Sequence, residues 1–76
     1  MPGKLPVLKP KEVVRALERG GFSIHHQTGS HARLIHSARL ELRVTIPIHN
    51  RDLQPSLLKR ILKQASLTDE EFLALL

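Results

Sequence analysis

His31 follows Gly29-Ser30 and precedes Arg33 by two positions, an order that puts an imidazole and a guanidinium on one face of an extended strand. An unperturbed imidazole titrates at roughly 6.5, so it can take or give a proton near neutral pH, while a guanidinium stabilises negative charge developing on a phosphoryl group. These are the parts needed to break a phosphodiester of RNA: a base for the ribose 2′-proton, an acid for the leaving oxygen and a cation for the transition state. The chain holds five histidines, His25, His26, His31, His36 and His49, and no cysteine, so acid–base chemistry is open to it and thiol chemistry is not. His31 is the candidate catalytic residue, because Gly29 allows a tight turn that exposes it. His49, beside Asn50, Arg51 and Asp52, stands open as a loop residue or a second proton carrier.

Metal ligation suits these histidines poorly. His31 and His36 lie five positions apart and His25 and His26 one, spacings that strand alternation sends to opposite faces, and no carboxylate neighbours them. No metal and no other cofactor is expected. Parity places His26 and His36 on the core side, as structural or edge residues.

Twelve Lys and Arg face seven Asp and Glu, a net charge of +5, and three of the acids, Asp69, Glu70 and Glu71, gather near the C-terminus. Residues 1–65 therefore set twelve cations against four carboxylates, a surplus that attracts polyanions. Two phenylalanines without Tyr or Trp argue against a module that stacks single-stranded bases on aromatic rings, so RNA would be held through phosphate and ribose. No run approaches the roughly 20 apolar residues that cross a bilayer, and the expectation is a soluble, cytoplasmic protein.

The elements that must position these residues form one domain, 1–76, with residues 1–9 as a loose N-terminal arm. Pro10 opens a helix with Val13, Val14 and Leu17 on one stripe, and Gly20-Gly21 stops it. Phe22 to Gln27 reads as a first strand, Thr28-Gly29-Ser30 as a three-residue turn, and His31 to His36 as a second strand. Leu40, Leu42, Val44, Ile46 and Ile48 alternate with Glu41, Arg43, Thr45, Pro47 and His49, the period of a half-buried third strand whose Pro47 end lies at an edge or leaves the sheet. Pro55 opens a second helix lined by Leu57, Leu58, Ile61, Leu62 and Ala65, with Lys59, Arg60 and Lys63 on its other sides. Thr68 and Glu71 form a capping box for a short third helix bearing Phe72, Leu73 and Leu76. The fold class is α+β, an α-β-β-β-α order with a three-stranded antiparallel sheet and helices on one face.

Parity then sets the pairing. It opposes Gln27 to His31, His25 to Arg33 and Ile24 to Leu34, and, on the other side, Ala32 to Val44, Leu34 to Leu42, His31 to Thr45 and Arg33 to Arg43. His25, His31, Arg33, Arg43 and Thr45 share the face away from the helices. Arg33 across from Arg43 is a like-charge pair that a phosphate between them would relieve, or Glu41 on the diagonal. Lys59 and Lys63 are candidate contacts to the RNA backbone at a greater distance.

Four motifs occur in order: Gly20-Gly21-Phe22; Thr28-Gly29-Ser30-His31 with His36 five further; Val44-Thr45-Ile46-Pro47-Ile48-His49; and Leu58-Lys59-Arg60-Ile61-Leu62-Lys63-Gln64-Ala65. Together they make the chain from about residue 10 onward resemble the HicA (YcfA-like) toxin family. The resemblance implies a fold like the double-stranded-RNA-binding domain, metal-independent messenger-RNA cleavage (an endoribonuclease, or mRNA interferase) and a HicB-type antitoxin partner. The family's catalytic histidine, the one after Gly-Ser, falls on His31. Asn50 and Ser66 stand where the family usually has glycine, both at turns, and Ile35 or Leu34 replaces an aromatic common in its second strand. Two other readings fit the same residues: a non-catalytic RNA-binding module, and a scaffold whose basic face meets an acidic antitoxin.

Overall fold

The computed structural model describes residues 5–76. Its elements run α1 (Pro10–Arg19), β1 (Phe22–Gln27), β2 (His31–His36), β3 (Arg43–Pro47), α2 (Pro55–Gln64) and α3 (Asp69–Leu73), with the antiparallel sheet in the order β1-β2-β3. The α-β-β-β-α order and the α+β class expected from the sequence are those observed.

The helices cover one sheet face because only that face is apolar. Phe22, Ala32, Leu34, Val44 and Ile46 are buried there against Val13, Val14, Ala16 and Leu17 of α1 and Leu58, Ile61 and Leu62 of α2. Alpha-helix α1 lies against β1 and β3, and α2 against β3. Phe72 of α3 is fully buried, and the Arg19 guanidinium reaches the Leu75 carbonyl at 2.8 Å, fastening the chain after α3 to the end of α1. Of the arm read as residues 1–9, residues 1–4 lie outside the described residues. Leu8 is buried, and its carbonyl accepts from the Leu53 N–H at 2.8 Å.

Local chemistry fixes the helix ends. Pro10 and Pro55 occupy first-turn positions whose N–H has no helical partner. Thr68 Oγ1 accepts from Glu71 N–H and Glu71 Oε1 from Thr68 N–H, the reciprocal cap expected from the sequence. Two left-handed residues end the longer helices: Gly21, φ 100°, after α1 and Ser66, φ 58°, after α2. At Ser66 the chain closes α2 with paired bonds, Ser66 N–H to Lys63 carbonyl (3.2 Å) and Leu67 N–H to Leu62 carbonyl (2.9 Å), a geometry that usually selects glycine.

Two expectations about the third strand need correction. The third strand is shorter than the alternation from Leu40 to His49 suggests. Leu40 and Glu41 belong to a turn in which Leu42 N–H bonds the Arg39 carbonyl, and Ala38 and Arg39 N–H both donate to His36 Nδ1. The β2–β3 register is displaced by two residues from the one expected: Arg33 faces Thr45, Leu34 faces Val44, Ile35 faces Arg43 and His31 faces Pro47. A two-residue displacement preserves faces, so the core assignment survives while the directly opposed Arg33–Arg43 pair does not exist.

Candidate active site on the open sheet face

The uncovered face of the sheet carries the polar residues of all three strands, and a β-bulge decides which. Ile24 pairs with Leu34 as expected, but His26, not His25, pairs with Arg33, leaving His25 as the extra residue. Adjacent residues at a bulge escape the strict up–down alternation of a regular strand. His26, expected on the core side, is exposed and lines an open cavity of 360 Å³ with Thr28, His31, Arg33 and Thr45. His25 borders a neighbouring cavity of 350 Å³ with Ser23, Ile35, His36 and Arg43. The adjacent pair His25 and His26 thus stays on one face, against the alternation argument. The signal for this lay in the sequence: a histidine at a core-facing position one step from a turn is better relieved by a bulge than by burial.

The bulge also shortens the turn before His31. Thr28 N–H donates to the His31 carbonyl at 2.9 Å, so Gly29 and Ser30 alone stand between paired strand ends, rather than three residues. The Thr28 hydroxyl holds the reversal, accepting from His31 N–H at 3.0 Å and Ser30 N–H at 3.3 Å. Gly29 is not in a positive-φ conformation, and a Cβ placed on it would meet nothing within 4 Å. The exposure of His31 therefore rests on Thr28, not on glycine's conformational freedom.

His31 is exposed and lines the cavity it shares with His26, and its Nδ1 lies 3.1 Å from Ser30 Oγ, while its Nε2 has no hydrogen-bond partner among the described residues. Arg33 sits at the centre of this arrangement, two residues along the strand from His31, across from His26 on one side and from Thr45 on the other. Among the described residues Arg33 has no carboxylate partner. Arg43 lies on the diagonal, its Nε donating to the Leu40 carbonyl at 3.4 Å. Glu41 pairs with Arg39 at 3.3 Å instead of bridging the two arginines. Its own backbone N–H is the main cause that holds the Glu41 carboxyl below its ordinary value; desolvation opposes it, and the hydrogen bond and charge of Arg39 add to the lowering.

Lys59 and Lys63 are on α2, which packs on the opposite face; the Lys59 ammonium pairs with Asp69 of α3. His49 is outside the His31 cavity. Its Nδ1 accepts from Arg51 N–H at 3.1 Å, a loop bond, and it borders an apolar hollow with Pro10, Val14 and Ile24. His36 is structural in its contacts: Nδ1 accepts two backbone N–H groups, so Nε2 carries the hydrogen and donates to the Gly20 carbonyl at 3.2 Å, and the ring packs edge-on against Phe22. Among the described residues no three His, Cys, Asp or Glu side chains converge as metal ligands, and no helix is long and apolar enough to cross a membrane.

Comparison with curated proteins gave no match. A family model described as the HicA toxin of bacterial toxin–antitoxin systems matches residues 10–67. That span opens with α1, contains the whole sheet with His26, His31, Arg33 and Arg43, and ends at Leu67, where the chain closes α2. The chain belongs to the HicA toxin family.

Proposed function

We propose that this protein is a toxin that acts as a metal-independent endoribonuclease on messenger RNA, with His31 as a proton-transfer residue. The observation that carries the reading is the exposed His31 imidazole, tethered through Nδ1 to Ser30 and set two residues from an Arg33 free of carboxylate partners. Arg33 and Arg43 receive the phosphate being cleaved and the one beside it. A guanidinium that has lost no charge to a protein partner is worth most against the extra charge of a phosphorane-like transition state. Lys63, and Lys59 once it exchanges Asp69 for a phosphate, steady RNA that runs past the β3 edge. The partner that silences the toxin is a HicB-type antitoxin, whose acidic groups would complement the open face and bar RNA from it. The protein acts in the cytoplasm, where messenger RNA is met.

Purified protein incubated with RNA in the presence of a chelator should yield cleavage products. His31→Ala should lose cleavage and growth arrest while keeping the circular dichroism spectrum and melting temperature of the parent. Cleavage by His31→Ala refutes the assignment. Salt-dependent binding without product, by the unaltered chain, would identify the alternative: an RNA-binding module using the same carboxylate-free face.

A further inference from the structure

One imidazole cannot remove the 2′-proton and protonate the 5′-oxygen in the same step, so a nuclease without a metal needs a second group. We infer that His26 is that group, His31 acting as base and His26 as acid; the assignment rests on the nuclease reading above. It is carried by the bulge. Without the extra residue at His25, His26 would point into the core; with it, His26 shares one cavity with His31, Arg33 and Thr45. His26 faces Arg33 directly across β1 and β2, and His31 is two residues from Arg33 on β2. The two imidazoles are therefore diagonal neighbours. Such positions lie roughly 7–8 Å apart between backbones, a gap that a phosphodiester fills with a hydrogen bond of about 2.9 Å at each end. Arg33, adjacent to both, meets the non-bridging oxygens.

Neutral His31 takes the 2′-proton at Nε2 as the 2′-oxygen bonds to phosphorus. The bond from phosphorus to the 5′-oxygen breaks, and that oxygen leaves with the proton of cationic His26. The products are a 2′,3′-cyclic phosphate and a 5′-hydroxyl, with His31 now cationic and His26 neutral; solvent restores both.

The test uses an oligonucleotide whose scissile 5′-oxygen, at a linkage the unaltered protein cuts, is replaced by sulfur, a leaving group that needs no acid. His26→Ala should cleave the oxygen substrate about 10²-fold more slowly or worse and the sulfur substrate within tenfold of the parent. His31→Ala should remain slow on both. Full speed of His26→Ala on the oxygen substrate overturns the assignment. So does an equal loss on both substrates, which is what a disturbed fold would give; unchanged melting distinguishes an acid lost from a fold lost. A parent protein that cuts no linkage in RNA, so that no such oligonucleotide can be chosen, overturns the nuclease reading and this assignment with it, whereas a cleaving parent with an unaffected His26→Ala overturns this assignment alone.

Discussion

Ser66→Gly should stabilise the protein. Ser66 occupies the left-handed position after α2 at φ 58°, held there by the bonds from Ser66 N–H and Leu67 N–H to carbonyls of the last helical turn. An L-residue in this conformation costs roughly 1–2 kcal/mol because Cβ crowds the carbonyl that follows. Glycine removes that crowding but loses roughly 0.5–1 kcal/mol more chain entropy on folding. The expected net gain is about 0.5–1 kcal/mol, which for a domain of this size corresponds to a rise of about 4 °C in melting temperature. Urea denaturation and thermal melting followed by circular dichroism measure it, with Ser66→Ala as the comparison, since alanine keeps the Cβ and removes only the hydroxyl. A gain for alanine equal to that for glycine, or a fall in stability for glycine, would show that the backbone conformation is not the source of the cost.

Other substitutions probe the supports of the site. Gly21→Ala should destabilise by about 2 kcal/mol or more in urea titration, because φ is 100° and the new Cβ would meet His36 Nε2 at 2.8 Å, a ring already held by the Gly20 carbonyl. Gly29→Ala, by contrast, should leave stability within about 0.5 kcal/mol of the parent, since its φ is ordinary and the space around it is empty. Should Gly29→Ala nonetheless slow RNA cleavage, the methyl is obstructing the nucleic acid rather than the turn. Glu41 should titrate below the usual glutamate range in an NMR pH series, and Arg39→Ala should restore only part of the difference, because its own backbone N–H is the larger cause. A carboxyl with a lowered folded pKa contributes stability above its unfolded pKa and loses it as pH falls through the folded one, so Glu41→Gln should flatten that acid limb slightly.

Element order and strand faces were legible in the residues because both follow from periodicity: 3.6 for Val13, Val14 and Leu17, two for Leu42, Val44 and Ile46. Register was not. Alternation is unchanged by a displacement of two, and what selected Arg33 against Thr45 was the turn at Leu40 and Glu41, nucleated by His36 accepting two backbone N–H groups. The bulge leaves no period at all; its trace is the histidine doublet where an apolar residue should stand. For the candidate site, His31, Arg33 and Arg43 share the open face as their parity requires, whereas His26 comes to it through the bulge. Lys59 and Lys63 could not be placed relative to that face from helix periodicity, which says nothing about which layer a helix joins.

The outer border of β3 offers little to an incoming strand. Its outward donors would come from residues 43, 45 and 47, but Pro47 has no N–H and the Thr45 N–H is already taken by Gln64 Oε1 of α2 at 3.3 Å. On the opposite border, β1 is interrupted at His25. A three-stranded sheet this small is an obvious template for self-association, and both of its margins are spoiled against strand-by-strand growth. The interruption that turns a second imidazole outward is also what roughens the β1 margin, so restoring a regular β1 would remove a proton donor and create a sticky ribbon in one stroke.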